Sequence, residues 1–125
     1  MFEFQSSARA LYKFMARADI GIVPLLPCKF NEAKSNLKSA ETLLTGTPVV
    51  ATDLPEQRRV IRHGYNGFLA KTPKEFASYV QMLVNDPVLR EDMSRAAAES
   101  AQELWLEDHI EEWEEAIGAA VSVPA

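Results

Sequence analysis

The sequence predicts an α/β fold of three layers, in which a short parallel sheet carries helices on its faces and further helices follow at the C-terminal end. Two short apolar segments, residues 20–23 and 49–52, have the composition of strands covered on both faces. A third, residues 68–70, follows a glycine-containing turn. Helical segments separate the strands, and this alternation calls for parallel pairing with right-handed crossovers. The predicted fold class is therefore half of a Rossmann-like domain.

The first predicted helix covers residues 7–17 and leads directly into the first strand, because apolar residues recur along it at helical spacing. Its predicted inward face consists of Ala8, Leu11, Met15 and Ala18. Pro24 and Pro27 end the first strand, since neither can donate a hydrogen bond to a sheet. The loop of residues 25–34 then leaves the carboxyl end of that strand, where open parallel sheets place their ligands.

A short helix is predicted between this loop and the second strand. The Ser35 hydroxyl is expected to cap its start, and Gly46 followed by Pro48 ends it. Its predicted inward face consists of Leu37, Ala40 and Leu44.

The start of that helix is the main candidate site. The free amides of Asn36 and Leu37, with the helix dipole behind them, would stabilise a phosphate group. Lys34 and Lys38 lie beside them in the sequence and would add positive charge. Glu41 follows one turn later, where its carboxylate can accept hydrogen bonds from sugar hydroxyls.

After the second strand, a helix is predicted over residues 56–63, with Gly64 ending it. Asn66 and Gly67 predict a tight turn before the third strand. The loops after the first two strands are expected to open on the same edge of the sheet, because the strands are parallel.

Three helices are predicted in the remainder of the chain. Thr72 followed by Pro73, and Asp86 followed by Pro87, mark the first two helix starts. The third is predicted over residues 107–118. The predicted inward residues are Phe76, Val80, Leu83 and Val84 in the first, Leu89, Met93, Ala97 and Leu104 in the second, and Ile110, Trp113 and Ile117 in the third.

Composition excludes several functional classes. A net charge of −5 argues against nucleic-acid binding, which requires a basic surface, and no apolar run is long enough for a transmembrane helix. The amino terminus lacks the features of a signal peptide, so a cytoplasmic location is expected. The single cysteine, Cys28, is interpreted as a bystander in a reducing compartment. No metal-ligand spacing, Walker-type loop or nucleophile–base–acid set is present, so no metal and no cofactor is predicted.

Several motifs together resemble a known family. They are Glu41, the Gly-Thr-Pro-Val-Val stretch of residues 46–50, the Gly-Tyr-Asn-Gly-Phe-Leu stretch of residues 64–69, and the Ala-Asp-Ile-Gly-Ile-Val-Pro stretch of residues 18–24. In this spacing they resemble the carboxyl-terminal domain of the glycosyltransferase group 1 family, retaining enzymes of the GT-B fold. The resemblance extends over about residues 8–104, and residues 1–125 are interpreted as a partial donor-binding domain of that kind.

The family pattern implies roles for individual residues. Its members usually carry two glutamates separated by seven residues, of which the first contacts the donor sugar and the second the nucleotide ribose. Glu41 matches the second, whereas Ala33 stands at the position of the first, with Glu32 adjacent to it. The spacing of the nearby polar residues resembles a variant found in some surface-polysaccharide transferases: Asn31, Lys34, Ser35, Lys38 and Glu41.

The resemblance implies glycosyl transfer from a nucleoside diphosphate sugar to a hydroxyl, in surface polysaccharide or glycoconjugate synthesis. The implied donor-binding residues are Lys34, Ser35, Asn36, Leu37, Lys38 and Glu41, and no residue is assigned a catalytic role. The family's acceptor-binding domain has no counterpart in these 125 residues, so we expect the chain alone to be inactive. A partner providing that domain is implied, and the complete enzyme is expected to associate peripherally with a membrane.

Three alternatives remain open from the residues. A noncatalytic nucleotide-binding or docking module would account for Ala33 and for the absent domain. A sugar-nucleotide epimerase fragment would use the same pocket but requires acid and base groups that the sequence does not provide. A signalling receiver domain shares the layered fold, but it requires an acidic cluster at the first strand and a lysine after the last, and the sequence offers no convincing candidate for either.

Overall fold

The computed structural model describes residues 7–103 and 110–122. Its centre is a parallel sheet in the order β1-β2-β3. The strands are β1 (Gly21–Val23), β2 (Val49–Thr52) and β3 (Gly67–Ala70). The helices of the described part are α1 (Ala8–Met15), α2 (Lys29–Glu32), α3 (Leu37–Leu44), α4 (Pro73–Asn85), α5 (Pro87–Gln102) and α6 (Ile110–Val121). The predicted α/β fold with a short parallel sheet is confirmed.

Alternating side chains along the central strand β2 define the layers. Val49 and Ala51 pack with Leu43 of α3, whereas Val50 packs with Leu83 of α4. Since successive residues of a strand point to opposite faces, α3 and α4 cover opposite faces of the sheet. Helix α5 contributes buried side chains to both clusters. The three predicted layers are therefore present.

Two glycines in the sequence motifs are required by backbone geometry. Gly46 ends α3 with a φ of +73°, a conformation that side chains with a Cβ rarely adopt. Gly67 begins β3 so close to β2 that a Cβ there would lie 2.1 Å from the carbonyl oxygen of Val49. The pairing of β3 with β2 therefore depends on a glycine at position 67.

The predicted tight turn at Asn66 and the following glycine is wrong, because the turn lies earlier, with the positive φ of 81° at Gly64. Asn66 itself is fully buried. Its Oδ1 accepts a hydrogen bond from the backbone N–H of Arg62 at 2.8 Å. Its Nδ2 donates to the carbonyl oxygen of Val60 and to Ser100 Oγ, both at 3.0 Å. Asn66 thus ties the turn before β3 to helix α5.

Helix α3 buries a different face from the one predicted. Leu37 and Leu44 are 56% and 47% exposed, whereas Ser39 and Leu43 are fully buried. The buried Ser39 hydroxyl donates to Gln57 Oε1 at 2.5 Å. The apolar pattern therefore predicted the wrong inward face of α3. A serine can occupy a buried position in place of an apolar residue when its hydroxyl has a hydrogen-bond partner there.

Three predictions about the segments near the sheet are also wrong. Ile22 of β1 is 58% exposed instead of covered on both faces, because no described element packs over its side chain. The predicted loop 25–34 contains the short helix α2. The predicted helix 56–63 is reduced to a single 3₁₀ turn, Gln57–Arg59.

Most features predicted for α4 and α5 are confirmed. Thr72 Oγ1 accepts a hydrogen bond from the Glu75 N–H at 3.1 Å, and Asp86 Oδ1 accepts one from the Leu89 N–H at 3.0 Å, so both predicted caps are present. The predicted inward residues that are buried are Leu83, Met93 and Ala97. Val84 is 53% exposed, because it lies beside the buried stripe of α4 instead of on it.

The first and last helices are less buried than predicted. In α1, Leu11 and Met15 are half-buried, but Ala8 is exposed, as is Ala18 beyond the helix.

In α6, Ile110 and Ile117 are 45% and 58% exposed. Their predicted burial is wrong because no other described element packs extensively against α6. Leu104 and the side chain of Trp113 lie outside the described residues.

One ion pair holds the loop after β2. The guanidinium Nε of Arg58 donates to Asp53 Oδ1 at 2.6 Å, and the Asp53 side chain is only 10% exposed. The hydrogen bond from Arg58 is the main reason why the pKa of Asp53 lies below its ordinary value. Burial of the carboxylate raises the pKa and so opposes this shift. The positive charges of Arg58, Lys71 and His63 lower the pKa further. The carboxylate of Asp53 is therefore stabilised in the folded state.

Replacing Asn66 by alanine is expected to lower the free energy of unfolding by about 2 to 4 kcal/mol, because it removes three hydrogen bonds made by a fully buried side chain. Urea unfolding followed by circular dichroism measures the change. The control is Asn85→Ala, which removes an exposed asparagine that accepts one hydrogen bond from Gln81. Equal stabilities of the two variants would contradict the structural role of Asn66.

The Asp53–Arg58 pair predicts a pH-dependent stability. A lowered pKa in the folded state stabilises the fold fully above the ordinary carboxyl pKa of about 4, and this stabilisation is lost as the pH falls toward the lowered value. Wild-type protein should therefore exceed Asp53→Asn in stability at pH 7, and the difference should shrink in acid. Urea unfolding between neutral and acidic pH measures it, with Asp92→Asn, in an exposed pair with Arg95, as the control. Parallel stability profiles for wild type and Asp53→Asn would refute the assignment.

Candidate functional site

The loops after β1 and β2 meet at the carboxyl edge of the sheet, as predicted. The N–H of Leu25 donates to Thr52 Oγ1 at 2.8 Å. Further along, Asn36 Nδ2 donates to the carbonyl oxygen of Glu56 at 3.1 Å. These two bonds fix the start of α3 relative to the end of β2, at the edge where α/β sheets bind ligands.

The start of α3 is not capped by a side chain. Its N-cap residue is Asn36, whose side chain instead reaches Glu56, and the predicted cap from Ser35 is wrong because Ser35 lies one residue too early and is exposed. The first-turn N–H groups of an α-helix have no partner within the helix. In the described part of the chain no side chain supplies one for α3, so these amides remain available to an anion.

Two lysines flank this helix start. Lys34 precedes α3 in the loop, and its Nζ lies 5.6 Å from the ring centroid of Phe30. Lys38 is the second residue of α3, and its side chain is 73% exposed. Neither amino group is buried, so both retain the conformational freedom to approach a bound anion.

Glu41 lies one turn into α3 with its side chain only 15% exposed. Its Oε1 accepts a hydrogen bond from the Tyr12 hydroxyl at 3.1 Å, which raises the pKa of Tyr12 above its ordinary value. Its Oε2 is shielded from solvent and has no hydrogen-bond partner, with Lys38 Nζ at 3.8 Å. A ligand hydroxyl could donate to this oxygen only after the groups that now cover it move aside.

Sequence reasoning missed Tyr12 as a neighbour of Glu41. The two residues are 29 positions apart and lie on different helices, α1 and α3. No spacing rule relates positions so far apart in the sequence, and Tyr12 lies in an amphipathic segment where an aromatic residue is ordinary.

The neighbouring carboxylates are paired within the chain. Asp53 bonds to Arg58, as described, and the Glu56 carboxylate lies 3.3 Å from Arg59 Nη1. Within residues 7–103 and 110–122, no group of three or more His, Cys, Asp or Glu side chains is arranged to hold a metal ion. Cys28 is exposed at the start of α2. None of the described helices has the length and apolarity needed to cross a membrane.

A cavity of about 340 Å³ lies beside this region, on the α4 side of the sheet. Its walls are mostly apolar and come from the loop after β1, from the ends of β2 and β3, and from the first turn of α4, with Leu26, Thr52, Ala70 and Phe76 among them. The sequence does not predict this cavity. It predicts only that Pro24 and Pro27, which line one wall of the cavity, end the first strand.

Comparison with known proteins identifies relatives of this chain. The sequence model for the family described as glycosyl transferases, group 1, matches residues 2–86. Two D-inositol 3-phosphate glycosyltransferases, from Pseudarthrobacter chlorophenolicus and from an Arthrobacter species, are 36% and 35% identical over 98 residues. Each match covers 77% of this chain and 22% of the relative. The chain therefore spans about a fifth of the length of these curated relatives.

Solved structures show the same fold. The C-terminal domain of the group 1 glycosyl transferase LpcC from Francisella tularensis superposes with a TM-score of 0.66 at 19% identity, covering 82% of this chain and 51% of that one. Anabaena HepE in complex with UDP superposes with a TM-score of 0.69 at 20% identity, covering 93% of this chain and 31% of that one. Because the family match extends over more than half of its residues, this chain belongs to the group 1 glycosyl transferases.

Proposed function

We propose that residues 1–125 form the donor-binding part of the carboxyl-terminal domain of a retaining glycosyltransferase. The enzyme would transfer a sugar from a nucleoside diphosphate sugar to a hydroxyl group. One observation carries the proposal: Glu41 has a shielded carboxylate oxygen without a hydrogen-bond partner, one turn from an uncapped helix start that two lysines flank. The family match supports glycosyl transfer in general, and the UDP bound to HepE makes UDP a suitable probe.

The diphosphate would bind at the start of α3. The amides of Asn36 and Leu37 would donate to phosphate oxygens, Ser35 lies directly before them, and Lys34 and Lys38 would supply the positive charge. Sugar transfer leaves negative charge on the departing diphosphate, so donors arranged in advance stabilise the transition state more than the substrate. The proposal requires neither a metal ion nor a cofactor.

The ribose would bind at Glu41. No group donates a hydrogen bond to its Oε2, and a buried acceptor without a donor destabilises the fold. A hydrogen bond from a ribose hydroxyl would offset this cost. Helix α3 places Glu41 on the turn that follows the phosphate-binding amides. Diphosphate and ribose would therefore contact the same short helix.

The remaining functions of the enzyme would belong to other parts of it. We propose that an acceptor-binding domain outside these residues completes the active site, since the chain spans about a fifth of its curated relatives. We further propose a cytoplasmic enzyme of surface polysaccharide or glycoconjugate synthesis that associates peripherally with a membrane.

A noncatalytic nucleotide-binding or docking module is the second candidate. The observation that favours it is Ala33, which stands where the family usually has its sugar-contacting glutamate and which directly follows α2 in an exposed position. The docking form of this alternative predicts no nucleotide binding by the chain. A nucleotide-binding form predicts binding without a role in transfer.

Replacing Glu41 by alanine is expected to weaken UDP binding about 10- to 100-fold, because a charge-assisted hydrogen bond to the ribose is lost. Isothermal titration calorimetry measures the affinity, and circular dichroism checks that the variant is folded. The control is Glu91→Ala, which removes an exposed glutamate of α5. Absence of binding of UDP, GDP and ADP alike by the wild-type chain would favour the docking module over a donor site.

The purified chain is expected to show no sugar transfer when it is given nucleotide sugars and hydroxyl acceptors, because acceptor binding is proposed to lie outside these residues. Chromatographic detection of glycosylated product and of released nucleoside diphosphate measures turnover. Robust transfer by residues 1–125 alone would show that they contain a complete active site, contrary to the proposal.

A further inference from the structure

The contact between Tyr12 and Glu41 joins two helices that are far apart in the sequence. Tyr12 lies on α1 and Glu41 on α3, and the hydroxyl-to-carboxylate distance is 3.1 Å. Helix α1 has no buried residue and packs loosely against the rest of the described chain. The Tyr12 hydrogen bond is thus a specific polar contact from an otherwise lightly attached helix.

The two oxygens of the Glu41 carboxylate have different surroundings. Oε1 accepts the Tyr12 hydroxyl, whereas Oε2 is shielded from solvent and has no hydrogen-bond partner. The nearest cation, Lys38 Nζ, is 3.8 Å from Oε2, which is longer than a hydrogen bond. A shielded carboxylate oxygen without a donor is rare and costly, so this oxygen has the character of an acceptor that awaits a ligand.

We propose that Tyr12 is a positioning residue, which holds Glu41 by Oε1 and thereby reserves Oε2 for a hydroxyl of the nucleotide ribose. This inference rests on the proposed donor function. By fixing one oxygen, the phenol restricts rotation of the carboxylate and holds the other oxygen in one orientation. Part of the entropy cost of ordering Glu41 is then incurred before the nucleotide arrives.

A phenol suits this position because it remains a hydrogen-bond donor at neutral pH. An ordinary tyrosine hydroxyl is already protonated at neutral pH, and the hydrogen bond to Glu41 raises the pKa of Tyr12 further. A phenol is also uncharged, and it therefore leaves the negative charge of Glu41 available to the ribose hydroxyl.

Lys38 provides a route by which the ligand reaches Oε2. Its side chain is 73% exposed, and its Nζ forms an ion pair with this oxygen at 3.8 Å, which is too long for a hydrogen bond. When a diphosphate binds at the start of α3, the ammonium group of Lys38 is drawn toward it and leaves Oε2 to the ribose. Phosphate binding and ribose binding are coupled in this arrangement through one lysine.

The test compares UDP with 2′,3′-dideoxy-UDP, which lacks both ribose hydroxyls, by calorimetry on the 125-residue chain. The Tyr12→Phe variant should bind UDP about two- to tenfold more weakly than wild type and should bind the dideoxy analogue equally well. In a Glu41→Ala background, Tyr12→Phe should lose most of this effect, because the acceptor of the Tyr12 hydroxyl is then absent.

Tyr65→Phe is the matched control. Tyr65 donates to Glu99 Oε2, also at 3.1 Å, but on a different part of the surface, between the turn before β3 and helix α5. This variant removes the same kind of hydrogen bond, so it should leave the affinity for both nucleotides unchanged. An equal loss of affinity in both variants would mean that Tyr12 has only a structural role.

A second measurement follows the Tyr12–Glu41 contact without nucleotide. The tyrosine ionisation assigned to Tyr12, from the difference between wild type and Tyr12→Phe, should shift to lower pH in Glu41→Gln. An unchanged titration would overturn the inference. So would UDP binding by wild type that Tyr12→Phe does not weaken, or strengthens, and both results leave the donor proposal standing. Failure of the wild-type chain to bind UDP, GDP and ADP refutes the donor proposal and this inference together; if it binds GDP or ADP but not UDP, the same comparison is made with that nucleotide and its 2′,3′-dideoxy analogue.

Discussion

The structure depends on the burial of one short strand between two apolar layers. Val49, Val50 and Ala51 of β2 are completely inaccessible to solvent, and strands pair with β2 on both of its edges. Such a strand is stable only if helices cover both faces of the sheet. Parallel pairing then places the loops after β1 and β2 at one edge, so the candidate site is a consequence of how β2 is buried.

Polar contacts, together with the packing of Leu43 against β2, set the position of α3 relative to that edge. The buried Ser39 hydroxyl bonds to Gln57, and the Asn36 side chain bonds to the carbonyl oxygen of Glu56. Both partners belong to the segment after β2, which forms only a 3₁₀ turn. Because Asn36 is used in this contact, the amides at the start of α3 are left uncapped, and this is the property that a phosphate site requires.

Local signals in the sequence were reliable where neighbouring residues determine the conformation. Thr72 and Asp86 cap α4 and α5 as predicted, because a cap bonds to an amide only three residues away. Predictions of buried faces were less reliable. Ile22 and Leu37 are apolar yet exposed, since no described element covers them. A helix shows more than one apolar stripe, and the neighbouring elements determine which one is buried.

The sequence by itself determined the strands, the capped starts of α4 and α5 and the glycine that ends α3, because these follow from interactions within a few residues. It also indicated the parallel arrangement, through the alternation of strands and helices. It also located the lysines and Glu41 on one short segment. Only the tertiary structure placed Tyr12 against Glu41 and buried Asn66 against Ser100, since 29 and 34 residues separate these pairs. Contacts over such distances arise from the packing of whole elements, which no local pattern specifies.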